Sequence, residues 1–311
     1  MITRPMDVLE QFPIRKTKKQ KQAFRDSVLE YAQALGYTCQ VEKGSMGSRN
    51  VIIGDAEKAK YLVTAHYDTP ASLIIPNFIT PCNFVVFLAY QFVIVGLFIA
   101  VAFLVGFTAG MITQNPELGG SIAGLAYWVM LILMMVGPAN KNNANDNTSG
   151  VVSVLEMART MPENLRDRVC FVLFDLEEAG LVGSSSFRKK HKKTTDNQII
   201  LNLDCVGDGN EIVMFPSKKY IKNDQMMANL CRCVGHYGDK SIAVRHKGFR
   251  YYPSDQAKFP YGVGIAAFNR GKHIGLYCSR IHTKNDTVLE ETNVNILRAA
   301  LTSMIGADTA E

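Results

Sequence analysis

The sequence predicts an α/β domain of three layers, with helices on both faces of a mixed, mostly parallel sheet, interrupted by an inserted hydrophobic two-helix hairpin. Three observations carry that expectation. Short apolar runs such as VCFVLF (Val169–Phe174) and IILNL (Ile199–Leu203) read as strands buried on both faces. They alternate with stretches whose apolar residues recur at helical spacing. Finally, the 70 residues from Pro70 to Ala139 hold one charge, Glu117, whereas the other 241 residues carry all 34 Lys+Arg and 27 of the 28 Asp+Glu. That balance argues against a purely soluble chain, disorder, a collagen-like fibre and a disulfide-stapled mini-protein.

Taken in order, Lys18 to Leu35 is amphipathic, with Phe24, Val28, Tyr31, Ala32 and Leu35 on one face and Gly36 as its stop. β-rich runs follow at Thr38–Glu42 and Val51–Gly54, then a buried strand at Tyr61–Ala65. After the insert, Ser149 is placed to cap a helix running through Met161. The strands Val169–Phe174 and Ile199–Leu203 come next. Gly183–Ser186 reads as the start of a helix, Asn223–Val234 and Thr292–Ile305 as helices, and Gly264–Phe268 as a strand. Residues 1–75 and 140–311 then form one catalytic domain, and 76–139 the inserted hairpin.

Within the insert, Phe84–Ile112 is 29 residues without a charge. As a helix it is about 44 Å long, more than the roughly 30 Å of bilayer hydrocarbon. Leu118–Val136 adds 19 residues. Two spans bring the chain back to the side it left. The tip, Thr113–Ser121, holds Glu117 and no Lys or Arg, so the positive-inside tendency puts the catalytic domain on the cytoplasmic side. Membrane lipid along Phe84–Val136 is the partner this implies. Seven cysteines without a C-x-x-C pair, several in strand-like runs, and an N-terminus without an apolar h-region agree with a reducing compartment. The net charge of +6 includes two basic clusters, Arg15–Lys21 and Arg188–Lys193, read as solvated faces with some attraction to anionic lipid. No aromatic-and-basic motif accompanies them, so no nucleic acid is expected as a partner.

Ligand-type residues recur just beyond the predicted strands. They form five segments: Ala65-His66-Tyr67-Asp68-Thr69, Asn142-Asn143-Ala144-Asn145-Asp146-Asn147-Thr148-Ser149-Gly150, Asp175-Leu176-Glu177-Glu178-Ala179-Gly180, Asn202-Leu203-Asp204 and His282-Thr283-Lys284-Asn285-Asp286-Thr287. Open α/β sheets place their sites at the carboxyl ends of strands, so segments distant in sequence can converge. Two histidines with several carboxylates suit zinc or manganese.

In this order the five segments resemble the co-catalytic di-zinc aminopeptidase family, which includes bacterial secreted leucyl aminopeptidases, glutamate carboxypeptidase II and, as a degenerate member, the transferrin receptor. The resemblance covers roughly Tyr61–Asp68 and Asn142–Thr287. It implies two Zn2+ per chain, with His66, Asp204 and Asp146 as ligands of one and Glu178, His282 and the shared Asp146 as ligands of the other. It also implies Glu177 as general base and Asp68 as the partner that orients His66. The activity it implies is removal of N-terminal residues from small peptide substrates by a metal-activated water, without a nucleophilic side chain. The chemistry suits the roles: a carboxylate can bridge two metals and an imidazole nitrogen cannot.

The sequence departs from the family in three places. The His66-type and Asp146-type ligands stand 80 residues apart, with the apolar insert between them. Ile281 precedes His282 where Tyr is common, and Ser254-Asp255-Gln256 carries Gln where the family has His; neither change is expected in the metal shell. Two other functions fit the same residues. A membrane-anchored, non-catalytic binding or scaffold homologue would keep the fold without the metal. A glutaminyl cyclase-like enzyme would use one zinc and a tryptophan-built pocket, whereas Trp128, inside the insert, is the only tryptophan here.

Overall fold

The computed structural model describes residues 2–308. Ten strands occur in the order β1 (Cys39–Lys43), β2 (Arg49–Ile53), β3 (Tyr61–His66), β4 (Val169–Phe174), β5 (Ile199–Leu203), β6 (Glu211–Pro216), β7 (Gly235–Tyr237), β8 (Lys240–Val244), β9 (Gly262–Gly271) and β10 (Gly275–Tyr277). The helices are α1 (Asp7–Gln11), α2 (Lys18–Ala34), α3 (Phe84–Thr113), α4 (Pro116–Val136), α5 (Gly150–Thr160), α6 (Val182–Lys190), α7 (Lys192–Thr195), α8 (Lys218–Ile221), α9 (Asp224–Cys231) and α10 (Glu291–Ala307). The strands form one mixed sheet in the order β1-β2-β4-β3-β5-β9-β6-β8-β7, with β10 paired to β9. Its centre, β4-β3-β5-β9, is parallel, and antiparallel pairs flank it on both sides.

The central strands bury both faces, which explains their unbroken apolar runs. Alternate residues point to opposite sides. Val63, Ala65, Phe171, Leu173 and Leu201 pack with Phe24 and Val28 of α2, Val151 and Leu155 of α5, and Leu297 and Leu301 of α10. Leu62, Cys170, Val172, Phe174 and Ile200 pack on the other face with Phe187 of α6 and with Phe259. This is the three-layer arrangement the sequence predicts.

Two local expectations are corrected. Ser149 does not cap α5 with its side chain. Its hydroxyl donates to the carbonyl of Asn145 (2.7 Å) and accepts the Val206 N–H (3.0 Å), while the Asn147 Oδ1 accepts the first helical N–H, that of Gly150 (2.9 Å). The basic run Arg15–Lys21 is not uniformly solvated: Arg15 and Lys21 are buried. All seven cysteines are free thiols.

Between β3 and α5 the chain makes the helical hairpin α3–α4. Asn83 and Asn115 start the two helices, their side-chain oxygens accepting the N–H groups of Val86 (3.1 Å) and Leu118 (3.0 Å), and Pro116 opens the first turn of α4. Gly106 and Gly119 let the helices touch: a Cβ on Gly119 would lie 2.6 Å from the Gly106 carbonyl oxygen. Ala102, Gly106 and Gly119 are the buried residues of the pair, and the large side chains, among them Phe92, Phe103, Phe107 and Trp128, are exposed. An exposed apolar surface of this extent is rare on an isolated soluble domain.

The base of the hairpin is closed by an Ala71–Ala139 bridge and by the N–H groups of Ser72 and Asn140 donating to the carbonyls of Pro138 (2.7 Å) and Pro70 (2.9 Å). The chain therefore returns where it departed. His66 and Asp146 meet despite the insert.

Candidate metal centre

β4, β3 and β5 are adjacent and parallel, with His66 in register with Phe174 and Thr64 with Asn202. Their carboxyl ends consequently deliver His66, the Glu177–Glu178 turn and Asp204 to one edge of the sheet. The turn after β4 is fixed at its root by Asp175, which is paired with Lys21 of α2 (2.5 Å) and accepts the Arg49 N–H (3.0 Å). Leu176 takes a left-handed conformation (φ 57°), and the N–H groups of Gly180 and Leu181 close back on the Glu177 carbonyl. Cys205 (φ 56°) and His282 (φ 63°) are also left-handed. Such residues cost about 1–3 kcal/mol each and collect at functional sites.

Asp146 arrives on the turn before α5. The Asn147 Nδ2 donates to the Leu203 carbonyl (3.0 Å), and the Asn145 Oδ1 accepts the Gly207 N–H (2.7 Å), tying this turn to the segment after β5. Asp286 accepts the N–H groups of Asn145 (2.8 Å) and Asp146 (3.1 Å), which binds the turn to the loop carrying His282.

The side chains converge. His66 Nε2 lies 3.3 Å from Asp146 Oδ1 and 3.7 Å from Asp204 Oδ1. His282 Nε2 lies 3.2 Å from Asp146 Oδ2 and 3.6 Å from Glu178 Oε2. Two three-residue donor sets result, His66–Asp146–Asp204 and Asp146–Glu178–His282, and Asp146 gives a different oxygen to each. Ligand bonds of about 2.0–2.2 Å in a tetrahedron put the donor atoms about 3.3–3.6 Å apart. The observed separations, 3.2–3.7 Å, lie within about 0.1 Å of that range, and the donor chemistry suits zinc. These groups can hold a metal.

Glu177 forms a further group with His66 and Glu178. Its N–H and that of Glu178 donate to Asp68 Oδ1 (3.0 Å) and Oδ2 (3.3 Å). The His66 Nδ1 stands 3.6 Å from Asp68 Oδ1, beyond hydrogen-bond length. Asp68 therefore holds the Glu177–Glu178 backbone as well as facing the His66 ring, a contact that residue spacing in the sequence does not reveal.

Electrostatics follow from crowding carboxylates in a buried place. Burial, reinforced by Asp146, pushes Glu178 up to about 8 against the pull of His282. Burial also raises Glu177 well above the carboxylate range, with Glu178, Asp255 and Asp204 adding to it and His66 opposing. For His282, burial is outweighed by Glu178 and Asp146, and its pKa rises to about 9. For Asp146 the two imidazoles overcome burial and hold it below the usual range. A cation placed among these donors displaces the protons they retain without it.

One contributor escapes sequence reasoning, and two more, Asp255 and Gln256, are read there only as a departure from the family pattern. Arg15 is fully buried: its guanidinium donates to the carbonyls of Tyr67 (2.6 Å) and Phe12 (2.7 Å) and to the Thr148 hydroxyl (3.1 Å), joining the loops that carry His66 and Asp146. Its loss would leave buried carbonyls unsatisfied at about 1–3 kcal/mol each. Asp255 is buried with both carboxylate oxygens unpartnered, and burial pushes it up to about 7. Gln256 is built into the base of the site, donating to the Tyr252 carbonyl (2.6 Å) and accepting from Asn202 Nδ2 (3.0 Å). The signal available for Arg15 was its place at the start of a basic run, which favours solvent.

Comparison with known proteins gives the family and the fold. The model of Peptidase family M28 matches residues 133–304, more than half of the chain, and the chain belongs to that family. The matched stretch contains Asp146, Glu177, Glu178, Asp204 and His282 and begins at the end of the hairpin, with His66 on its far side. Over 67 residues the chain is 40% identical to Aminopeptidase YwaD of Bacillus subtilis (strain 168), a stretch that spans 21% of this chain and 15% of that relative. Among solved structures, Porphyromonas gingivalis glutaminyl cyclase shares the fold at TM-score 0.61 and 15% identity over 96% of this chain and 93% of that one. Legionella pneumophila LapA aminopeptidase does so at TM-score 0.61 and 15% identity over 97% and 70%. A Zn-dependent exopeptidase from Parabacteroides distasonis does so at TM-score 0.59 and 15% identity over 94% and 92%.

Proposed function

We propose that this chain is a membrane-associated zinc aminopeptidase that hydrolyses N-terminal residues from small peptides, with two zinc ions held by His66, Asp146, Asp204, Glu178 and His282. The observation that supports it best is the Asp146 carboxylate, whose two oxygens face two different imidazole-containing donor sets. Bound there, zinc supplies the Lewis acidity that lowers the pKa of a water and polarises a scissile carbonyl. Glu177 is adjacent to ligand Glu178 in sequence and faces the same space. It takes the proton of the attacking water and passes it to the leaving amine. Asp68 keeps both glutamates in place through their backbone N–H groups and stands behind His66. Glutaminyl cyclase neighbours keep the second enzymatic reading in view, but Trp128 lies on α4 and not at the donor sets.

The hairpin anchors the protein with its catalytic domain on the cytoplasmic side. α3 is 30 residues and α4 is 21, each long and apolar enough to cross a bilayer. The test is a panel of aminoacyl amides, dipeptides and an N-terminal glutaminyl peptide with zinc-loaded protein, run on carbonate-washed membranes that express it. Release of free amino acids by the washed membranes is expected, and chelation should remove it. Cyclisation of the glutaminyl peptide without dipeptide hydrolysis would replace the aminopeptidase by a cyclase, and loss of the protein to the carbonate wash would remove the anchor.

A further inference from the structure

The donor set that contains Glu178 and His282 borders a cavity of about 660 Å³, whose wall passes from these two residues to the hairpin. That volume suits a small-molecule site. From α3 it is lined by Tyr90, Ile94, Leu97 and Val101, three or four residues apart and hence on one face of the helix, and from α4 by Met130 and Leu133. Tyr90 to Val101 is about 16 Å of helix rise. The cavity is therefore an elongated groove with metal-type ligands at one end and a hydrocarbon wall at the other.

Its chemistry selects the occupant. Polar side chains, Asn77 and Gln91 among them, line it near the base of the hairpin, whereas the wall from Ile94 to Val101 and from Met130 to Leu133 is apolar, and the backbone there is paired within the helices. An extended peptide laid against that wall would find no partners for its own N–H and C=O groups. A hydrocarbon chain needs none. Leu97, Val101 and Leu133 keep 41%, 40% and 50% of their surface exposed, so the groove is open along its side, on the surface that the hairpin would turn to lipid.

The groove is also fixed to the site. The Leu73 N–H donates to the His282 carbonyl (2.7 Å), Ile79 and Cys278 exchange backbone hydrogen bonds of 2.9 Å, and Tyr90 hydrogen-bonds to the Pro76 carbonyl. Phe84 and Phe87, at the root of α3, pack against Phe249 and Tyr251. Hairpin and donor sets form one continuous surface.

We infer that the substrate is an amphiphilic amide taken from the bilayer, with its scissile bond at the Glu178–His282 end and a long hydrocarbon chain lying in the groove between α3 and α4. The inference rests on the metallopeptidase reading above and adds the substrate class to it. In the reaction the water oxygen bonds to the carbonyl carbon, the C–N bond breaks, and Glu177 relays the proton to the leaving nitrogen. The products are a carboxylate and a long-chain amine, the second of which can return to the bilayer through the open side.

The test uses the full-length zinc-loaded protein in phosphatidylcholine nanodiscs, with leucine n-alkylamides of increasing chain length and leucyl-glycine as reference. Rates are expressed per substrate bound to the disc, so that partitioning alone produces no trend. The rate relative to leucyl-glycine is expected to rise at least about tenfold until the chain reaches about 16 Å, then to level off. Val101→Trp, which blocks the far end, should move the break to shorter chains. A rate independent of chain length, or the same break in the variant, overturns the inference while leucyl-glycine cleavage leaves the peptidase reading standing; absence of all cleavage counts against that reading. Binding is read separately with an alkylamide bearing a terminal diazirine. It should label the Ile94–Val101 segment more than the same alkyl diazirine without the leucyl head, and equal labelling overturns the inference even where nothing turns over.

Discussion

Glu177→Gln is expected to keep its full metal content and to lose turnover by about 10²–10⁴-fold, a barrier increase of about 3–5 kcal/mol. The amide preserves the shape and the backbone N–H bond to Asp68 Oδ1, so the turn that also carries Glu178 stays in place. What it removes is a proton acceptor: a neutral amide cannot take a proton from water near neutral pH. Glu177 lies beside the donor sets, within the His66–Glu177–Glu178 group, and is not one of the two sets that share Asp146. Near-normal kcat in the variant would move the base to another residue, and Asp255, buried and unpartnered nearby, would be the first to test.

Asp146→Ala is expected to do the opposite, losing metal and activity together. Its two oxygens stand 3.3 Å and 3.2 Å from the Nε2 atoms of His66 and His282, so a single substitution damages both donor sets. The backbone should hold, because Asp286 grips the N–H groups of residues 145 and 146 and does not use the deleted carboxylate. Metal analysis of the folded variant is the measurement. Retention of two equivalents would show that Asp146 is not shared. Read together, the two variants separate the residue that does chemistry from the residue that holds the metal.

Much of this was legible in the sequence because period and position agree there. VCFVLF and IILNL are buried on both faces, so their composition alone marks central strands, and the residues that follow them are the ones the parallel sheet gathers. The hairpin was legible for a similar reason: no charged residue interrupts its first 29 positions, and no polar face recurs there at helical spacing. The strands β6, β7, β8 and β10 were not. β7 and β10 are three residues long, and β6 is a run whose partners β8 and β9 lie far along the chain.

Polar residues that act through burial were the least legible. Arg15 and Lys21 look like the rest of their basic run, and only the tertiary fold pairs them with the Tyr67 carbonyl and with Asp175. Asp286 was visible within His282–Thr287, but nothing in its spacing says that it braces the backbone of Asp146. Ser149 fits a helix-start pattern, yet Asn147 performs that task because the turn must also bond to Leu203 and Cys205. In each case a long-range hydrogen bond decided the role, and local pattern carries no record of it.

The central claim is that His66, Asp146, Asp204, Glu178 and His282 together hold the metal on which peptide hydrolysis depends. Its most direct test is to strip the purified protein with a chelator and add zinc in steps, measuring bound metal and aminoacyl-amide hydrolysis on the same samples. Activity should be absent in the stripped protein and should rise to a plateau as bound zinc approaches two equivalents per chain. Hydrolysis by stripped, folded protein, or folded protein that takes up well under one equivalent, would contradict it.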